Sequence, residues 1–251
     1  MNQFEGRTAI VTGAATGIGA ATAATLAREG AIVCIMDMNR EGAEESARAI
    51  TEEGGRAEVR IVDLGSWEQT RDAIDGFAKA HGRLDIVVHS AGGFPAYVSL
   101  IDCPVEAWDP VVNSNLRSMF YLLKAAAPHM MERNFGRFVS LSSMAARSGV
   151  NPNPPHYTAA KGGMLALTRQ AARDLGPHGI TVNAVAPANV ETPRTLGIRS
   201  AERIAHIQRT TPLGRLAQPQ EIANAVVWLA SPQASYVTGI TMDVNGGATM
   251  I

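Results

Sequence analysis

One feature narrows the possible folds more than any other: an alternation that repeats along almost the whole chain. Short β-branched or aliphatic runs are separated by stretches long enough for helices. Antiparallel neighbours can be joined by tight hairpins, whereas parallel neighbours need a crossover of a dozen or more residues. The order therefore predicts an α/β chain with one parallel sheet, doubly wound by helices on both faces to make three layers. Strands are predicted at 7–12, 31–37, 56–64, 84–92, 135–143, 179–187 and 240–247. Their near-continuous apolar character fits burial on both faces.

Helices are predicted at 17–30, at 41–53 with Gly54 and Gly55 ending it, at 66–82, 105–133, 156–176 and 220–231. Pro110 is tolerable in the first turn of the long 105–133 segment, whereas Pro128 should kink or end it. Residues 188–218 are less regular. No linker, repeat or shift in composition divides the 251 residues, so one domain accounts for them all.

Composition removes several classes of function. With 22 Lys and Arg against 23 Asp and Glu the net charge is -1, which leaves no electrostatic footprint for nucleic acid or a membrane surface. Cys34 lies in an apolar run and reads as a small core residue; it and Cys103 form no disulfide framework or zinc motif. The histidines show no metal-ligand spacing, so no metal is predicted. No apolar stretch approaches membrane-spanning length and the N-terminus is not a secretory signal, which makes a cytoplasmic location the default.

Directly after the first strand comes Thr12-Gly13-Ala14-Ala15-Thr16-Gly17-Ile18-Gly19, opening a helix. Glycines permit a tight turn and let a pyrophosphate approach the backbone, while the helix N-terminus offers free N–H groups and a favourable dipole. Between the first strand and first helix of an α/β pattern, this string predicts a dinucleotide site. Asp37, about 20 residues on, ends the second strand where a carboxylate accepts from the adenosine ribose hydroxyls. It should repel a 2′-phosphate, and Thr16 stands where a basic residue could have neutralised one. NAD is predicted; Arg40 is the one feature that favours NADP.

Past the middle, Tyr157 and Lys161 stand four residues apart in an alanine-rich helical segment, so they share one helix face. An ammonium near a phenol favours the phenolate, lowering a pKa otherwise near 10 and supplying a proton-transfer group near neutral pH.

The spacing Thr-Gly-x-x-x-Gly-x-Gly followed by Tyr-x-x-x-Lys resembles the short-chain dehydrogenase/reductase family, over essentially the whole chain from Thr12 to Asn245-Gly246-Gly247. The resemblance implies a Rossmann-type domain with a seven-stranded parallel sheet, assembled as a homotetramer or homodimer, with helices 105–133 and 156–176 pairing across protomers. It implies that Tyr157 is the general acid/base, that Lys161 lowers its pKa and holds the nicotinamide ribose, and that Ser143 holds the substrate oxygen. Asn115 corresponds to the residue that steadies Lys161 and a proton-relay water. Gly13, Thr16, Gly17, Ile18, Gly19, Asp37, Asp63, Leu64, Ala91, Gly92, Pro187, Val190 and Thr192 complete the implied cofactor site.

Three departures stand out. His89-Ser90 replaces the family's usual Asn-Asn, Ala188 replaces the common glycine after Pro187, and the 144–156 loop is about one residue longer, which brings Ser142 into competition with Ser143. His156 differs by about 100° of helix rotation from Tyr157, which predicts a pocket-edge or surface role.

The reaction read from these residues is NAD-dependent hydride transfer between the cofactor and a secondary alcohol or ketone, such as a polyol or sugar. The alternative is an NADPH-dependent ketone or 3-oxoacyl-thioester reductase. A different class, a catalytically silent dinucleotide-binding regulator, predicts loss of Asn115, Ser143, Tyr157 or Lys161, and all four are present. Substrate choice is expected in loops 93–99, 144–156 and 188–218, the last a candidate lid. Phe94, Tyr97 and Met144 offer apolar walls, the NPNPP run (151–155) a stiff rim, and Arg147 and Arg194 candidate clamps for an anionic group.

Overall fold

The computed structural model describes residues 2–148 and 153–250. Seven strands form one parallel sheet: β1 (Thr8–Thr12), β2 (Ile32–Asp37), β3 (Arg56–Ile61), β4 (Ile86–His89), β5 (Gly136–Leu141), β6 (Ile180–Pro187) and β7 (Thr241–Val244). The helices are α1 (Gly17–Arg28), α2 (Arg40–Glu52), α3 (Trp67–His81), α4 (Trp108–Val112), α5 (Ser118–Met131), α6 (Pro155–Leu175), α7 (Pro193–Ile198), α8 (Ala201–Thr210) and α9 (Pro219–Ala230). Strand order is β3-β2-β1-β4-β5-β6-β7, so the winding reverses between β1 and β4. Ligands of such sheets bind outside the carboxyl ends of the strands at that reversal.

Two cores follow from the two-residue period of a strand. Val33 and Ile35 of β2 pack with Leu26 of α1 and Ile222 and Val226 of α9 on one face. Cys34 and Met36 point the other way, joining Phe77 of α3, Leu122 of α5 and Met164 of α6. Each such fully buried side chain contributes about 1.5–3 kcal/mol relative to exposure. Among the described residues no helix is long and apolar enough to cross a membrane.

Four local expectations change. The strand predicted at 56–64 stops at Ile61, and its Arg56, Glu58 and Arg60 lie on a partly exposed edge strand rather than a strand buried on both faces. The helix predicted at 105–133 is interrupted: a π-turn at Asn113–Arg117 separates α4 from α5. Pro128 neither ends nor breaks α5; it falls in the last turn, on the exposed side with Lys124. The 188–218 region holds α7 and α8 rather than irregular chain.

Candidate active site

The Gly-rich turn is built by close backbone approach. Gly13 has φ +64°, and a Cβ there would lie 2.7 Å from the Ala91 backbone at the end of β4. A Cβ on Gly19 would collide with the Gly13 carbonyl. Thr12 Oγ1 accepts from the N–H groups of Ser90 and Ala91, both at 3.2 Å, which ties β1 to β4 at the reversal. Thr16 caps α1 without a side-chain hydrogen bond, leaving the helix N–H groups directed at a cavity lined by Gly13, Thr16, Gly17, Ile18 and Gly19. This is a cradle shaped and charged for a diphosphate.

A second cavity, lined by Asp37, Asp63, Leu64 and Ala91, shares Gly13, Ser90, Gly92 and Arg194 with the first. Together they make one groove across the carboxyl edge of the sheet. At its far end Asp37 accepts the Ala15 and Asn39 N–H groups, both at 3.0 Å, which fixes the carboxylate against the turn. The groove's glycine waist and its terminal carboxylate fit a dinucleotide.

At the other end lie Ser143, Tyr157 and Lys161. The Ser143 hydroxyl lies beside the Tyr157 phenol, where it acts to lower the phenol's pKa, and it accepts the Ala145 N–H at 3.1 Å. Ser142 faces away: its hydroxyl donates to the Lys161 carbonyl at 3.0 Å and its N–H to Val185. The extra loop residue therefore leaves Ser143, not Ser142, beside Tyr157. Residues 149–152 of that loop, including Asn151 and Pro152 of the predicted rim, lie outside the described residues.

Lys161 is 4% exposed, and its Nζ donates to the Leu141 carbonyl at 2.6 Å. Burial, reinforced by the Arg194 charge, pulls its pKa down to about 7. The expectation that Tyr157 sits below its ordinary value is not met. Burial raises it, against the opposing pull of the Ser143 hydrogen bond and the Arg194 and Arg199 charges. The Lys161 ammonium, 5.6 Å from the Tyr157 ring centroid, points at a carbonyl and does not offset that desolvation.

Asn115 is fully buried on the π-turn, with its side chain on the Gly93 backbone (2.9 and 2.8 Å) and the Val111 carbonyl (2.8 Å) rather than on Lys161. Pro187, Ala188, Val190 and Thr192 line the groove as it leaves β6, and Thr192 caps α7 by accepting the Thr195 N–H.

His156 and Arg147 depart from expectation, and the structure places His89, which the sequence left open. His156 is neither at the surface nor on the cavity wall; it is 1% exposed, and its Nδ1 accepts the Tyr157 N–H at 2.8 Å. That bond satisfies a first-turn donor that the capping Pro154 has no side-chain group to reach. His89 is buried with Nε2 2.9 Å from the Ser118 hydroxyl, and burial followed by the Lys161 charge pushes its pKa down to about 3. Arg147 is no clamp: it forms a two-pronged pair with Asp243 of β7 at 3.0 and 2.9 Å.

Sequence reasoning missed Thr12 as a brace of the site, since it was legible only as part of the glycine motif, and it placed Arg199 in the 188–218 substrate loop without singling it out from the loop's other arginines. Among the described residues no cluster of three or more His, Cys, Asp or Glu could hold a metal ion.

Residues 13–249 match the family described as enoyl-(acyl carrier protein) reductase. The chain is 40% identical over 248 residues to cis-4-hydroxycyclohexanecarboxylate dehydrogenase of Sinomonas cyclohexanicum, covering 99% of this chain and 98% of that one. It is 38% identical over 248 residues to the 3-oxoacyl-(acyl carrier protein) reductase of Escherichia coli, covering 99% of both. The chain belongs to the short-chain dehydrogenase/reductase family. A solved 3-oxoacyl-(acyl carrier protein) reductase from Brucella melitensis, with NAD bound, superposes with a TM-score of 0.92 at 33% identity, covering all of this chain and 94% of that one. As a member, this protein is an oxidoreductase that uses a nicotinamide cofactor on CH–OH and keto groups.

Proposed function

We propose that this enzyme transfers hydride between NAD and a secondary alcohol or its ketone, with Ser143, Tyr157 and Lys161 as the reacting group. The observation that carries the cofactor reading is Asp37. Its carboxylate closes the ribose end of the groove, bonded to Ala15 and Asn39, where a 2′-phosphate would meet a negative charge. Arg40, the residue that favours NADP, instead reaches Glu44 on its own helix at 3.4 Å.

In the proposed reaction nicotinamide, when bound, supplies or accepts the hydride. Tyr157 moves the proton: the phenol gives it to a ketone oxygen, and the phenolate takes it from an alcohol. Ser143 donates its hydroxyl proton to the substrate oxygen. Lys161, held against Leu141, presents an ammonium to the nicotinamide ribose. Asn115 holds the Gly93 backbone, and with it the groove wall that Phe94 and Tyr97 continue. The remaining cofactor contacts belong to Gly13, Thr16, Gly17, Ile18, Gly19, Asp63, Leu64, Ala91, Gly92, Pro187, Val190 and Thr192. The α7–α8 segment serves as the lid. Assembly as a homodimer or homotetramer is supported by apolar side chains exposed near α4 and α5, among them Val105, Trp108 and Phe120.

A 3-oxoacyl-thioester reductase is the second reading, supported by the name of the Escherichia coli relative. Cofactor preference separates the two. Turnover of a panel of secondary alcohols with NAD and with NADP should favour NAD in kcat/KM by roughly tenfold or more, with Asp37→Ser narrowing the ratio. An equal or greater value with NADP overturns the NAD reading.

A further inference from the structure

The wall of the groove beside Tyr157 carries more positive charge than cofactor binding at the glycine turn explains. Phe94 packs edge-on against both Tyr157 (centroids 4.7 Å apart) and Tyr97 (5.0 Å), making an aromatic surface. Arg194 and Arg199, from the α7 segment, close over it. Arg194 donates to the Gly92 carbonyl at 2.8 Å and the Phe94 carbonyl at 2.5 Å, so neutral acceptors hold it and its charge is not cancelled. Arg199 donates from Nε to the Tyr97 hydroxyl at 2.9 Å, while its Nη1 is buried and has no hydrogen-bond partner.

Among the described residues neither arginine has a carboxylate within ion-pairing distance. Several other arginines are paired with carboxylates: Arg7 and Arg83 with Asp85, Arg147 with Asp243 and Arg215 with Glu221. A buried cationic donor left without an acceptor is costly, and an anion relieves it.

We propose that Arg199 and Tyr97, backed by Arg194, form a subsite that binds a carboxylate carried by the substrate, a few bonds from the carbon that reacts beside Tyr157. The substrate class is then a hydroxy or keto acid with an apolar body against Phe94 and Tyr97. A carboxylate suits the donors on offer, since the unpartnered Arg199 N–H and the Tyr97 hydroxyl proton can each meet one oxygen. Arg199 lines the cavity that holds Ser143 and Tyr157 along with the glycine turn, and its bond to Tyr97, whose ring meets Phe94 and through it Tyr157, places it on the substrate side. The proposal rests on the reading of Ser143 and Tyr157 as the reacting end.

The test is a binding measurement that needs no turnover. Calorimetric titration of benzoate and of its neutral isostere benzamide, each into enzyme saturated with NADH, should show benzoate preferred by roughly tenfold or more, about 1.4 kcal/mol. Arg199→Gln should remove that preference by weakening benzoate alone, and Arg199→Lys should restore part of it. Equal affinities in the unaltered enzyme, or no benzoate binding up to about 10 mM, overturn the proposal. So does an equal loss of NADH affinity in Arg199→Gln, which would assign the arginine to the cofactor. Failure of the underlying reading registers separately, as retained alcohol turnover in Tyr157→Phe.

Discussion

Lys161 Nζ donates to the Leu141 carbonyl at 2.6 Å, so the ammonium at the heart of the site is anchored to the last residue of β5. An amine whose pKa falls from 10.5 to about 7 on folding binds its proton less tightly in the folded chain than in the unfolded one. The resulting folding penalty is complete below pH 7 and fades as pH rises from there through the unfolded value. Lys161→Met should therefore stabilise the protein at pH 6 by on the order of 1 to 3 kcal/mol, after the loss of the Leu141 bond, while abolishing activity. The gain should shrink toward pH 10 in thermal melts recorded across that range.

Tyr157→Phe removes the proton-transfer oxygen and leaves the ring that packs on Phe94. Steady-state turnover should fall by roughly 10²- to 10⁴-fold, with NADH affinity by fluorescence titration within about twofold of the parent. Turnover near that of the parent would remove Tyr157 from its assigned role.

Arg194 lowers the Tyr157 phenol against the burial that raises it. Alcohol oxidation uses the phenolate, so its rate should climb with pH. Arg194→Gln should move that climb to higher pH, because one of the opposing charges is gone. Initial rates of alcohol oxidation against pH read the displacement; a curve that moves to lower pH contradicts the electrostatic assignment.

Arg147 and Asp243 join the turn after Ser143 to β7 through two charge-assisted hydrogen bonds on partly exposed side chains. Arg147→Ala should cost about 1 kcal/mol in denaturant unfolding. Its preference for benzoate over benzamide should stay as in the parent, since the charge is spent on Asp243.

The alternation of strands and helices, most helix positions and the cofactor turn were legible in the sequence because the forces behind them are local or periodic. A strand buried on both faces reads as an apolar run, and a turn at φ +64° needs glycine, as Gly13 shows. The spacing of Tyr157 and Lys161 was equally legible, since four residues of helix put two side chains on one face. The π-turn at Asn115 was not, because helical periodicity does not distinguish a turn widened by one residue.

What the sequence alone determined, then, is the parallel sheet, the dinucleotide turn and the chemical kind of the reacting residues. The tertiary structure alone decided which serine faces the phenol, which histidines are buried and which arginines carry an uncancelled charge. Arg147 and Arg199 are the same residue type in loops of similar expected role. One meets a carboxylate 96 positions away, and the other meets a tyrosine hydroxyl and an aromatic wall. The phenol's proton affinity belongs to the same class: an ammonium four residues away predicted a fall, but burial raised it. Ion pairing and desolvation depend on what the folded chain brings together, and spacing along the sequence carries no record of it.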